Sequence, residues 1–382
     1  MKPKVIDLFA GVGGFTLGAY EAGFSTALAV DNDRDLSHSF PINFPCAKFF
    51  SADISQTSPE SLLAEAEIGR YDTFGIVGGP PCQGFSSIGK RSLEDTRNLL
   101  VRDFFRFVSA LNPAFFVMEN VLGILAEPFA NILDDALDSV SPNYDLVGPL
   151  KLNAADFGAA TSRVRAIVIG YRPDYVDAIS ESDIERRKTK LLRSVFEAIH
   201  DLPSPTRGHE DSHGVFWSKY KRLPIAGDQG EYARRARLAP PRGLSSSWIR
   251  EASQKGLVSC LRPTVHAEAV IHRFANTPQG RREAISRCPR LAWNKLAPTL
   301  RAGTGKDHGS HQAIRPIHPA EARVITVREA ARIQGFPDWF QFHPTKWHSF
   351  RMIGNSVSPI LAATILKLVR VHLDNVRDAA TG

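Results

Sequence analysis

Cysteine is scarce in this chain of 382 residues: only Cys46, Cys82, Cys260 and Cys288, with no CxxC pair. That scatter argues against a disulfide framework and against a cysteine zinc site, and it fits a reducing cytosol. No metal is therefore expected. Long apolar runs are missing too, and none approaches the roughly 20 residues that span a bilayer. The start, Met1-Lys2-Pro3-Lys4, leads into a short apolar run interrupted by Asp7, unlike a signal peptide. The expectation is a cytoplasmic protein with no membrane partner. Acidic residues are sparse in one region. Residues 176–344 carry 28 Lys and Arg against 17 Asp and Glu, a balance of +11, whereas the remainder carries 19 against 23. A basic region beside a mildly acidic one suggests that the former meets a polyanion.

What is present is a strongly patterned first half. With 43% apolar residues the chain can bury a sizeable core, and its length suggests two domains or one with an insertion. Residues 4–9, Thr26–Val30, Phe74–Val77, Ala114–Met118 and Ala166–Tyr171 read as strands. A helix ending at Gly23 and helical stretches at Leu99–Leu111 and Ile132–Val140 alternate with them. That βαβα order predicts an α/β fold over 1–175, a doubly wound, mostly parallel sheet. The pattern then breaks. Residues 183–250 are rich in Arg, Pro, Gly and Ser, with no lasting period. We read 176–344 as a second, smaller, irregular domain. A helix over about Val357–Val376 is expected to pack back on the first.

The stretch Gly78-Gly79-Pro80-Pro81-Cys82-Gln83-Gly84-Phe85-Ser86 follows a strand end. Glycines and prolines make a rigid, exposed turn with a cysteine at its tip, where such sheets place their chemistry. A lone loop cysteine is ordinarily inert, because a free thiol has a pKa of about 8.5. A Gly-rich turn, Gly11-Val12-Gly13-Gly14, follows the first strand. Such turns bind cofactors through close backbone approach and free N–H groups. The dinucleotide fingerprint needs a third glycine, and that position is Thr16. Phe9 can face a purine-like ring. Asp31, ending the second strand before Asn32, can accept from ribose hydroxyls, and Asp53-Ile54 can frame the adenine. Glu119-Asn120-Val121 follows another strand, which makes Glu119 a candidate acid. Arg163 and Arg165 alternate at strand spacing, so both can point to one face.

Together these segments resemble the DNA (cytosine-5)-methyltransferase family. Asp7–Gly14 looks like its cofactor motif, Gly79–Ser86 its nucleophile motif, Glu119–Val121 its third signature and Arg163-Val164-Arg165 its arginine strand. Gln334-Gly335-Phe336-Pro337 and Gly354-Asn355-Ser356-Val357 match its closing motifs. Order and spacing agree over nearly the whole chain outside about 180–290. One departure is Ala160-Thr161, where the family usually has Pro-Gln.

The resemblance implies a Rossmann-like methyltransferase fold, with 1–175 plus 345–382 as the catalytic unit and 176–344 as a target-recognition domain. It implies S-adenosylmethionine held by Phe9, Gly11, Gly13, Asp31, Asn32, Asp53, Ile54, Pro81, Leu100, Asn355 and Val357. It also implies Cys82 as nucleophile toward C6 of a flipped-out cytosine, Glu119 as the acid toward N3, and Arg165 at the base or its phosphate with Arg163 supporting it. The segment 87–98 would close over DNA. Implied partners are double-stranded DNA and a companion restriction endonuclease, with the protein a monomer in the bacterial cytosol at the nucleoid. Three other readings stay open: cytosine-5 methylation of a transfer RNA, a NAD-dependent oxidoreductase, and a DNA-binding protein without activity.

Overall fold

The computed structural model describes residues 2–69, 72, 74–81, 99–127, 129–203, 205, 208–212, 214–220, 230–301 and 315–381. Cys82 and the segment 87–98 lie outside the described residues.

Short β-branched and aromatic runs in the first half form strands because both faces of the sheet they build are covered. The strands are β1 (Lys4–Leu8), β2 (Ser25–Asp31), β3 (Lys48–Ser51), β4 (Phe74–Gly78), β5 (Phe115–Asn120), β6 (Asp145–Asn153), β7 (Thr161–Ser162) and β8 (Val164–Tyr171). All except β7 join one sheet in the order β3-β2-β1-β4-β5-β8-β6. Neighbours from β3 to β5 run parallel, while β8 lies antiparallel to both β5 and β6. The expected strands are all present.

Two further strands of this sheet escaped the sequence reading. Strand β3 is only four residues long, with its outer two exposed. Strand β6 contains Gly148-Pro149, which reads as a turn. At the sheet edge, where a proline is tolerated, that pair instead forms an irregularity in the register between Val147 and Leu150.

Helices cover both faces. On one side lie α1 (Gly14–Glu21) and a long C-terminal helix. On the other lie α2 (Pro59–Ala66), α3 (Leu99–Leu111) and α4 (Ala130–Asp138). Later come α5 (Val327–Gln334), α6 (Lys346–Asn355) and the C-terminal α7 (Pro359–Thr381). Helices α1 and α7 touch at Gly18, where a Cβ would come within 2.5 Å of the Ala362 Cβ. Contrary to expectation, one helical stretch, Lys346–Asp374, is long and apolar enough to cross a bilayer, with mean hydropathy 1.5 over an 18-residue window. That window is 78% buried, so its apolarity fills the core beneath the sheet.

Beyond Tyr171 the elements are short. Strands β9 (His209–Glu210), β10 (Phe216–Lys219) and β11 (Leu257–Ser259) form a small antiparallel sheet, and β12 (Ala297–Pro298) pairs with β7. Helix α5 is buried along its whole length. Its Arg328 reaches the Ser259 carbonyl at 3.2 Å, and its Arg332 is held between Asp201 and Asp338 at 2.9 and 2.6 Å. Its Gln334 donates to the Ser356 carbonyl (3.1 Å) and accepts from the Ser358 hydroxyl (3.0 Å). Asn43, near β3, exchanges two hydrogen bonds with the Gln341 backbone. The segment 326–342 is thus bonded both to the irregular region and, through Asn43, Ser356 and Ser358, to the ends of the chain that flank the sheet.

Candidate active site

Strand order reverses between β1 and β4: the chain runs outward through β2 and β3 on one side and through β5 on the other. In open α/β sheets such a switch point opens a crevice at the carboxyl ends of the strands. The loops after β1, β2, β3, β4 and β5 all emerge there.

After β1 the backbone takes left-handed conformations at Phe9 (φ 60), Gly11 (φ 52) and Gly13 (φ 95). For Phe9 that conformation costs roughly 1–2 kcal/mol. The Gly11 N–H donates to Asp31 Oδ2 at 2.7 Å, and the Asp33 N–H donates to Asp31 Oδ1 at 2.8 Å. Burial raises the Asp31 carboxyl above its usual range, against those two bonds. A Cβ on Gly13 would meet the Phe44 ring at 2.4 Å, and one on Gly14 would meet Ser356 Oγ at 2.2 Å and the Val357 carbonyl at 2.5 Å. The turn is therefore clamped against the Ser356–Val357 corner, far along the chain. Phe9 packs against the same core cluster as buried Ile54.

The other expected cofactor residues divide. Val357 is buried, and its methyl lies 4.0 Å from where a Gly79 Cβ would stand. Pro81 and Leu100 are half-buried at the ends of the β4–α3 connection. Asn32, Asp53 and Asn355 are exposed. Asp53 caps the turn Ile54–Gln56, accepting from the Ser55 N–H at 2.9 Å and its hydroxyl at 2.8 Å.

Glu119, near the end of β5, is 7% exposed. Its Oε1 lies 2.9 Å from Arg165 Nε, and its Oε2 would stand 3.3 Å from a Gly79 Cβ. The neighbouring Asn120 amide donates to the Pro80 carbonyl at 3.3 Å, tying β5 to the turn that leads into Cys82. Arg163 and Arg165 do not share a task, contrary to the strand-alternation expectation. The strand breaks at Arg163, between β7 and β8. Its guanidinium is buried, donating to the Gly354 and Ser356 carbonyls at 2.9 and 2.8 Å. Arg163 thus holds the C-terminal corner.

Some residues gained roles that sequence reasoning missed. Thr16, noted only as a missing glycine, donates from its N–H (3.0 Å) and hydroxyl (2.6 Å) to buried Asp7. Burial pushes Asp7 up to about 7, with those two bonds opposing and Asp31 adding to the rise. An acid inside an apolar strand was the available signal. Thr161, the departure from the family pattern, donates to the Ala297 and Pro298 carbonyls at 3.2 and 3.3 Å. It is a joint between β7 and β12.

Residues 3–370 match the family model "C-5 cytosine-specific DNA methylase". The chain is 39% identical to the Type II methyltransferase M.XorII of Xanthomonas oryzae pv. oryzae, over 95% of this chain and 84% of that protein. It is 32% identical to the Type II methyltransferase M.DdeI of Desulfomicrobium norvegicum, over 98% and 90%. A crystal structure of a candidate DNA modification methyltransferase encoded within an E. coli prophage superposes with a TM-score of 0.84. That match has 38% identity and covers 98% of this chain and 100% of the other. A Schizosaccharomyces pombe Dnmt2 methyltransferase shares the fold, with a TM-score of 0.60, 15% identity and coverage of 98% and 99%.

Proposed function

Because this chain belongs to the C-5 cytosine-specific DNA methylase family, and so methylates cytosine C5 within a DNA sequence, we propose that Cys82, Glu119 and Arg165 carry out the reaction. The transfer RNA and NAD readings fall with that membership, and so does the reading without activity. The observation that carries the proposal is the Glu119–Arg165 pair, 2.9 Å apart and packed on Gly79, three residues before Cys82.

Cytosine C5 is a poor nucleophile. The Cys82 thiolate adds to C6, and Glu119 in its protonated form gives its proton to N3. That addition breaks aromaticity and leaves C5 enamine-like. The Arg165 guanidinium orients the Glu119 carboxyl and offers charge to the base or its phosphate. Once C5 has gained a methyl group, its proton leaves, the C6–S bond breaks to return the Cys82 thiolate, and N3 returns its proton to Glu119. The target atoms lie inside a duplex, so the base is flipped out first.

Members of this family use S-adenosylmethionine, which supplies an electrophilic methyl group. The residues at the switch point suit it. Gly11, whose Cβ would meet nothing nearer than Asp31 Oδ2 at 4.0 Å, leaves backbone open to a ligand. Asp31 offers remaining lone pairs to ribose hydroxyls, and Phe9 with Ile54 offers an apolar wall. We assign Gly13, Asn32, Asp53, Pro81, Leu100, Asn355 and Val357 to the rim and floor of the same pocket. We further assign 1–175 with 345–382 as the catalytic unit and basic 176–344 as the unit that reads duplex DNA, with 326–342 bolting the two together. A companion endonuclease and a monomeric state complete the proposal.

The test is Cys82→Ser. A hydroxyl is far less ionised than a thiol at neutral pH, so the variant should bind DNA and cofactor and transfer no methyl group. Duplexes with 5-fluorocytosine at the target should trap the wild-type chain covalently, because fluorine cannot leave as a proton does. Substantial turnover by Cys82→Ser, with no adduct in the wild type, would reject the nucleophile.

A further inference from the structure

Among the described residues, one group of metal-ligating side chains stands apart from the site above. Asp35 lies in the helical turn Arg34–Ser37 that follows β2. His343 and His348 flank the start of α6. Their ligand atoms all lie within 4.8 Å of one another. A third imidazole joins them: the His38 and His343 ring centres are 4.6 Å apart, and those of His343 and His348 are 4.5 Å apart. Nothing in the methyl-transfer chemistry uses any of the four.

A second observation points into the cluster. His348 Nδ1 is buried and makes no hydrogen bond, yet Asp35 Oδ2 lies 3.3 Å away. In a neutral imidazole with that nitrogen unprotonated, two lone pairs face each other, and only a cation or a proton between them relieves the contact. The nearby cation Arg351 is already paired with Asp33 at 2.9 Å.

We propose that Asp35, His343 and His348, with His38 or water in the fourth position, bind one divalent transition-metal ion of the zinc class. Imidazole and carboxylate donors suit such ions. Bonds of about 2.0–2.1 Å put tetrahedral ligand atoms roughly 3.3–3.5 Å apart, so separations of up to 4.8 Å must close by up to about 1.5 Å. It can do so, because Asp35 and His38 are exposed and the other two rings half-buried. His343 Nδ1 accepts from the Thr345 N–H at 2.9 Å; Thr345 is exposed, so water replaces that bond when the ring turns to the metal. The ion would pin the turn after Asp31 to the helix that ends at Asn355, bracing the pocket from outside.

The experiment uses the full-length, untagged chain stripped with a chelator and needs neither DNA nor S-adenosylmethionine. Zinc is titrated by calorimetry and cobalt by visible absorption. One equivalent per chain is expected, with cobalt bands of nitrogen and oxygen coordination and a higher thermal midpoint on metal addition. His343→Ala and His348→Ala should each weaken binding by at least about tenfold. Asp35→Asn, at an exposed position, should also weaken it. No saturable binding at micromolar ion, or binding unchanged in Asp35→Asn and both histidine variants, would overturn the site.

Discussion

At the scale of single residues, two buried carboxyl groups on strands of one sheet do different work. Glu119 sits against Arg165, and in the proposed reaction it cycles a proton. Glu119→Gln keeps its shape and loses that ability, so the methylation rate should fall by roughly 10²–10⁴-fold, the range for general acid–base groups. Cofactor affinity should barely change. Single-turnover methylation with an unchanged rate would mean that another group protonates N3. Asp7 serves the fold instead. Its folded pKa of about 7 lies above the ordinary 3.8, so the folded state holds this proton more tightly than the unfolded chain. Linkage then gives the sign. The contribution is fully present below about pH 4 and is lost as pH rises to about 7, on the order of 4 kcal/mol in all. Asp31 shifts in the same direction. Asp7→Asn keeps an oxygen for Thr16 and should flatten the fall in stability between pH 4 and 7, read by urea unfolding across that range. Equal slopes in the two proteins would exclude Asp7 as the source.

At the scale of elements, close approach outweighs propensity. Gly18 lies inside α1, where alanine is ordinarily better by about 0.8–1 kcal/mol. A Cβ there would come within 2.7 Å of the Ala363 nitrogen as well as 2.5 Å of the Ala362 Cβ. Backbone cannot step aside as a flexible side chain can, and overpacking costs about 1–3 kcal/mol. Gly18→Ala should therefore destabilise the protein, and a gain in denaturation midpoint would show that α7 yields. The same contrast explains what could be read in advance. Strands such as Phe115–Asn120 are apolar on both faces and announce themselves. Strand β6 hides behind Gly148-Pro149, because only its place at the sheet edge makes that pair tolerable. Site residues on short motifs were legible as types in order: Asp31, Glu119 and Arg165 stand at strand ends or on the edge where the pattern put them. Arg163 was not, since its i, i+2 spacing says nothing of a break between β7 and β8. The partners of Thr161, Asp7 and Gln334 lie far away in sequence or depend on burial, and a single chain of letters carries no record of either.

At the scale of the whole molecule, the proposed cofactor pocket draws on both ends of the chain. Gly14 is clamped on Ser356 and Val357, Arg163 holds the carbonyls of Gly354 and Ser356, and Gln334 reaches Ser356 from α5. The corner at 354–357 is thus gripped by the first helix, by the strand edge and by the segment bonded to the irregular region. This arrangement makes a prediction about topology. A chain ending at residue 345 keeps Cys82, Glu119 and Arg165 yet loses the corner and α7, so it should lose S-adenosylmethionine binding together with activity. Asp31→Ala, by contrast, removes one charged acceptor and should weaken cofactor binding by about 1–3 kcal/mol while leaving DNA affinity nearly intact. Calorimetry separates the two. The truncated chain should give no cofactor heat at any concentration, and Asp31→Ala should give a complete but right-shifted isotherm. A truncated chain that folds and binds S-adenosylmethionine normally would mean that the pocket closes without the returning helices, and the proposed division of the chain at 175 and 345 would fall with it.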